Sequence, residues 1–426
     1  MAPRSHGLSL LPIECRQAIL VYLDDIASLR SAIVSHSSLY RAFCGAKSLI
    51  LHSVLSNIVS PDLLPEACAI LHASKIRRWY PEARAENLEN FRQRRVQTKL
   101  SWQDATSIEE FHLSAKFFTA DFISTALSKN SLKDEEMITN VTMVTAIEWH
   151  RVLRSFYWWE WYTLSCGRIW KLGIRKHLSA KHLEMFSIWE QEQLASVGEY
   201  LFHKIAKPFN EVAAHDIQWG TLEVDYKASE VWEARWPHRI KGFWVQRLPF
   251  LQRLISAETY DQRHDLMKSN WEMTSHSNSL TQSVLDAWHF TTSDELDPTL
   301  LRDYSEEKYN EKIGTPWAPD SDNGPVEAWR WTHQELPYEH FVQSPKLQWL
   351  RRRGYVMWNY ERLSSWGFFD LEWNQFSGDM IRLSSEEIEE RNYEMERSWQ
   401  KRKEHYEQGE IGQLKMGSCY MSGPIH

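Results

Sequence analysis

No apolar run approaches the roughly 18 uncharged residues that a membrane-crossing helix needs. The longest apolar region near the start, Leu49 to Val59, is interrupted by His52, Ser53, Ser56 and Asn57, so no membrane partner is expected. Cysteine is scarce. Cys15, Cys44, Cys68, Cys166 and Cys419 are odd in number, scattered and free of C-x-x-C spacing, which argues against both a disulfide framework and a zinc site. Reduced thiols in a cytoplasmic or nuclear protein are the expectation. The opening MAPRSHGLSLLP carries one arginine and only a brief apolar stretch before Pro12, too short for a signal-peptide core. An excess of positive charge is also lacking. With a net charge of -8 the chain has no overall attraction for nucleic acid, and the cluster Arg351-Arg352-Arg353 reads as a solvated face.

Catalytic spacings are missing as well. G-x-S-x-G, H-E-x-x-H, a phosphate-binding G-x-x-x-x-G-K-[ST] loop and a G-x-G-x-x-G turn are all absent, so no nucleophile elbow, zinc helix or nucleotide cradle is encoded, and no cofactor is expected. No period of 20 to 50 residues occurs, which counts against a solenoid or propeller. Tryptophan is missing from one part of the chain only: all 22 lie at or beyond Trp79. The change in core material places a domain boundary near residue 78.

What is present is helical periodicity. The chain has 426 residues and 42% hydrophobic content, enough for two or three domains with their own cores. Pro12 suits the first turn of a helix to about Leu23, with Cys15, Ile19, Tyr22 and Leu23 recurring at three- and four-residue steps. Asp24 or Asp25 can cap a second helix whose face holds Ile26, Leu29, Ala32 and Ile33. Leu39, Tyr40 and Phe43 form a third, and helices from about Ala46 to Ile58 and Leu63 to Ala73 follow. Glu82 to Arg95 reads as a solvated helix or connector with Leu88, Phe91 and Val96 as sparse anchors. Thr145 to Thr163, apolar almost all round, predicts a central helix. Phe186 to Ile205 predicts another, stopped by Pro208. Ser269 to Ser283 and Asp303 to Pro325 are polar and read as loops.

Three groups of residues could carry chemistry. His177 and His182 lie five apart and diverge on a helix, where two ligands to one metal favour spacings of three or four. His215 and Asp216 could serve acid–base chemistry, but neighbours on a helix point about 100° apart, and a local hydrogen bond is the plainer reading. Trp232, Trp236 and Trp244, or Trp329 and Trp331, could line a recognition cleft or lie in the core, with core the expectation.

Leu8 to Phe43, LSLLPIECRQAILVYLDDIASLRSAIVSHSSLYRAF, resembles the F-box, a three-helix motif that docks onto the Skp-type adaptor of cullin-based ubiquitin ligases. Leu11-Pro12 stands at the motif's Leu-Pro opening, Glu14 follows, Ile19 and Tyr22-Leu23 match its first-helix apolar set, and Leu29, Val34, Leu39 and Tyr40 take the later positions. Two features depart from the pattern. Asp24-Asp25-Ile26-Ala27 holds no proline before the second helix, and Ile33 to Tyr40 replaces the usual Val-Cys-Lys-x-Trp ending. The wider chain is similar to F-box-like proteins of filamentous fungi through LYRAF at 39 to 43, LLPEACAILHAS at 63 to 74, RSFYWWEWY at 154 to 162, WEQEQLASVGEYL at 189 to 201, EVAAHDIQWG at 211 to 220 and RRGYVMWNYERLSSWGFFD at 352 to 370.

The resemblance implies a mainly α chain: an F-box-like three-helix motif over 8–45, a helical joint over 46–78, a larger irregular tryptophan-rich helical domain over 79–400 and a loose tail over 401–426. It implies partner contacts by Leu11, Pro12, Ile19, Leu20, Leu23, Leu29, Val34 and Leu39, a Skp-type adaptor and a protein target as partners, and no catalysis. The alternative is a stand-alone helical interaction protein that no longer binds such an adaptor, its apolar faces packed on its own second domain.

Overall fold

The computed structural model describes residues 7–76, 81–96, 99–128, 143–166, 181–219, 246–275, 299–335 and 348–370, with Phe243 and scattered positions between 393 and 408. It is mainly helical, with no strand among the described residues, and no described helix is long and apolar enough to cross a membrane.

Five helices come first: α1 (Ile13–Val21), α2 (Ile26–Ser35), α3 (Ser37–Gly45), α4 (Lys47–Ile58) and α5 (Leu64–Lys75). Local chemistry sets their ends. Asp25 caps α2, one carboxylate oxygen accepting Ser28 N–H at 2.5 Å and the other the Ser28 hydroxyl at 3.0 Å. His36 Nδ1 accepts Ser38 N–H at 3.1 Å and so caps α3. Asn57 Nδ2 donates to the carbonyls of Val21 and Leu23 at 2.9 and 3.0 Å, closing the end of α1 against α4.

α6 (Pro81–Arg92) corrects the expectation of a solvated connector. Arg84, Asn87, Leu88 and Phe91 are buried. The Asn87 amide donates to Ala69 O and its oxygen accepts Trp161 Nε1–H, both at 2.9 Å, while Arg84 donates to the carbonyl of Ser165. Phe91 stacks on Trp161 with centroids 3.7 Å apart.

The body is built on α7 (Trp102–Ser128), α8 (Ala146–Cys166) and α9 (Ile188–Trp219). α8 is central, as its sequence predicts: Phe156, Tyr157, Trp158, Trp159, Trp161 and Tyr162 have no exposed surface. Two starts in the body are reciprocal capping boxes, Ser101 with Asp104 and Thr145 with Glu148, and at a third the Glu190 carboxylate accepts both the amide and the hydroxyl of Ser187. α9 runs straight through Pro208 rather than stopping there. A proline inside a helix costs about 3 kcal/mol, yet Ile205, Ala206, Phe209 and Val212 on both sides of it are buried, and their packing outweighs one lost hydrogen bond.

Charged side chains on α8 and α9 hold later segments in place. Glu148 accepts Arg362 Nε–H at 2.7 Å and Asn359 N–H at 3.1 Å. Arg151 clamps Asp320 with two bonds of 2.7 and 2.9 Å and donates to Met357 O at 2.6 Å. Glu160 binds Arg247 and the first amide of α10 (Leu248–Ser256). Glu190 accepts the amides of Trp317 and Ala318. Glu192 forms a buried bidentate pair with Arg351 at 2.6 and 3.0 Å. Arg351 is 3% exposed, which corrects the reading of its cluster as a solvated face.

Asp303 to Pro325 is likewise not simply a loop. It holds α12 (Glu306–Ile313), capped by Ser305, and enters α13 (Gly324–His333). Between α10 and α12 lies α11 (Tyr260–Ser275), so the first part of Ser269 to Ser283 is helical; residues 276–283 and nearly all of the tail from 401 lie outside the described residues.

The apolar core does not break near residue 78. One set of buried residues runs from Leu20 through α5 and α8 to Phe368.

Candidate functional site

The N-terminal helices bury some of their apolar residues and leave others exposed. Gln17 Nε2 donates to Ala42 O at 3.1 Å and Arg16 Nη1 to Ser38 O at 3.3 Å, which fixes one side of α1 against α3. Leu20 lies one turn on and is fully buried. With Leu29 (0% exposed) and Leu39 (4%) it belongs to the core that continues through α5 and α8. These three, expected as partner contacts, are buried within the chain, and the periodicity that marked them as apolar anchors is also that of a core face. Leu23 is partly buried against the same core.

The remaining expected contacts stand on the outside. Leu11 is 37% exposed, Ile19 41% and Val34 78%, and Pro12 is exposed at the start of α1. Tyr22 and Tyr40, which stand at matched positions of the resemblance, are exposed too, as are Leu10 and Ile13, which sequence reasoning left out of the contact set.

The module is fastened to the body. Glu109 of α7 accepts the first amide of α2, Ile26 N–H, at 2.8 Å, and burial holds its carboxyl above the usual range, that bond partly offsetting the effect. Phe43 meets Trp102 edge to face at 5.8 Å. The outward face of α1 to α3 therefore has a fixed direction relative to α7 and α8.

Among the described residues the other candidates form no reactive centre. His182 is buried against Trp161, with ring centroids 4.8 Å apart, and His177 lies outside the described residues. His215 and Asp216 fall on the helical backbone of α9, their side chains outside the described residues. Trp329 is fully buried and Trp331 partly so, both packed in the core; Trp232, Trp236 and Trp244 are outside the described residues. No group of three metal-ligating side chains converges among the described residues. Cys15 and Cys44 are exposed and Cys68 and Cys166 buried, none of these four in a disulfide, and Cys419 is not described. Comparison with protein-family models, with curated proteins and with solved structures finds no match to this chain.

Proposed function

We propose that this chain is a substrate-recognition adaptor of a Skp/cullin/F-box type ubiquitin ligase, docking on a Skp-type adaptor protein through α1 to α3 and presenting a protein target on its helical body. It is a non-catalytic subunit in this reading. The observation that carries it is the apolar surface left on α1 to α3. Leu10, Leu11, Ile13, Ile19, Tyr22, Val34 and Tyr40 stay exposed while Leu20, Leu29 and Leu39 are buried, and apolar residues that gather into a patch at a surface mark interaction sites. The Leu11-Pro12 opening of the resemblance lies beside them.

A second reading, a stand-alone interaction protein, is favoured by the burial of Leu20, Leu29 and Leu39 and by the Glu109 link to the body. Co-expression of the full chain with a Skp-type subunit separates the two. Docking predicts a co-purifying complex that Ile19→Asp with Tyr22→Asp disrupts while the folded chain is retained. Absence of any complex with the unmodified chain rejects the adaptor reading in favour of the second.

A further inference from the structure

Among the described residues α1 packs chiefly on α3 and α4. Arg16 and Gln17 reach α3, Leu20 is buried, and Asn57 of α4 takes the carbonyls at the end of the helix. The opposite side has a different composition. Cys15, Ala18, Ile19 and Tyr22 follow one another at steps of three and four, which sets them in one line along the helix, and Leu11 stands just before the first turn. All five are exposed. No charged residue interrupts the line.

Charge is confined to the two ends of this line and has one sign. Glu14 lies in the first turn of α1 and Asp24 just past its last, both exposed and neither in an ion pair among the described residues. Their separation in sequence corresponds to roughly 15 Å along a helix axis. Asp25 adds a third carboxylate beside Asp24, held by Ser28 at the cap of α2. Arg16, the only cation of α1, is turned the other way, donating to Ser38 O of α3 at 3.3 Å. Such a face is poorly matched to anionic lipid, which interfacial helices bind through a basic polar side.

We propose that the outer face of α1 seats in an apolar groove of the partner protein that carries lysine or arginine at each end, with Glu14 and Asp24 facing those cations. The apolar line supplies the burial, as in other helix-in-groove contacts, and the end charges supply orientation, rate of encounter and salt dependence. The inference rests on the adaptor reading and adds to it the chemistry of the surface that receives α1. Cys15 and Ala18, at the middle of the line, join the contact.

The complex of the full chain with a Skp-type subunit tests it, its dissociation constant being measured at low and at high salt. Glu14→Lys with Asp24→Lys is expected to weaken binding about tenfold at low salt and much less at high salt, where the charges are screened. Cys15 is expected to react with iodoacetamide more slowly in the complex than in the free chain. Unchanged affinity after charge reversal, or equally fast reaction of Cys15, overturns this inference and leaves docking standing; absence of any complex with the unmodified chain overturns both. Glu14 favours the N-terminus of α1, so should the reversed variant not fold, Glu14→Gln with Asp24→Asn decides: a several-fold loss at low salt supports the end charges, and unchanged affinity overturns them. Dimers of the chain alone, or its binding to phosphatidylserine vesicles, if lost in Ile19→Asp with Tyr22→Asp, put a second copy or a membrane on this face and overturn the proposal.

Discussion

Ile19 and Leu20 are chain neighbours with opposite roles, and substituting each in turn tests the two-faced module directly. Leu20 is fully buried between α1, α3 and α4, so Leu20→Ala loses its transfer free energy and leaves a cavity, a cost of about 3 kcal/mol. Ile19 is 41% exposed, and Ile19→Asp there changes stability by about 0.5 kcal/mol or less. Equilibrium urea denaturation supplies both numbers. Tryptophan emission serves as the local probe, because the module has no tryptophan of its own and Trp102 sits edge-on against Phe43, so release of the module changes one indole's surroundings. Circular dichroism follows the helices in parallel. Equal destabilisation by the two substitutions would refute the assignment of faces, and so would a harmless Leu20→Ala. The same pair then sharpens the docking experiment: loss of a complex in Ile19→Asp is a surface effect, whereas loss in Leu20→Ala is a folding effect.

Three further outcomes are expected. Burial, with Lys116 adding to it, pushes His112 down to about 4, below the unfolded histidine value of about 6.5. The unfolded chain therefore binds the extra proton first, and stability falls as pH drops from about 6.5 towards 4, by roughly 3 kcal/mol at the lower limit; His112→Gln should flatten that part of a pH-dependent denaturation series. At Gly324 an added Cβ would lie 2.4 Å from Tyr360 N and 2.5 Å from Trp358 O, backbone atoms that cannot rotate away, so Gly324→Ala should lower the thermal midpoint more than Gly45→Ala, which meets only the ends of Gln17 and Ile13. Arg351→Met strands the Glu192 carboxylate, which has no exposed surface, and should cost about 3 to 5 kcal/mol; the double variant with Glu192→Leu should recover much of it, as measured by a denaturation cycle.

The parts of this fold that were legible in the sequence are those whose cause is local. The Asp25 cap, the five short helices before residue 76 and the central position of α8 all follow from residues within a few positions of one another. Two capping boxes were also there to be read, at Ser101 and Thr145. What escaped depends on partners far along the chain. Trp317 and Ala318 look like loop residues because the carboxylate that fixes them is Glu190, and Asp320 looks solvated because its partner is Arg151. The same holds for α6, where Arg84 and Asn87 read as charge and polarity facing water until the carbonyls of Ala69 and Ser165 and the indole of Trp161 are brought to them. Pro208 misled for a different reason: a local rule was outweighed by packing on the same helix. On α1, apolar periodicity was visible but could not say which of the adjacent Ile19 and Leu20 turns inward.

These long-range pairs bear on how the chain could act as an adaptor. A protein that presents a target must hold its docking face and its body in one orientation, and a short polar linker between them would defeat that. Here the Glu109 bond to Ile26, the contact of Phe43 with Trp102 and the continuous core through α5 and α8 fasten the module to the body. Beyond α8, irregular segments are tied down by buried charge pairs rather than by long apolar helices. Removing one partner of such a pair is costly, whereas the pair itself contributes little net stability compared with apolar packing. Its value lies in orientation: Arg151 accepts only a segment that offers a carboxylate at Asp320 and a carbonyl at Met357 together, and Glu192 only one that offers a guanidinium at Arg351. The charges on α8 and α9 thus specify one arrangement of the later chain around the central helices, and the outward face of α1 to α3 inherits a fixed direction relative to it.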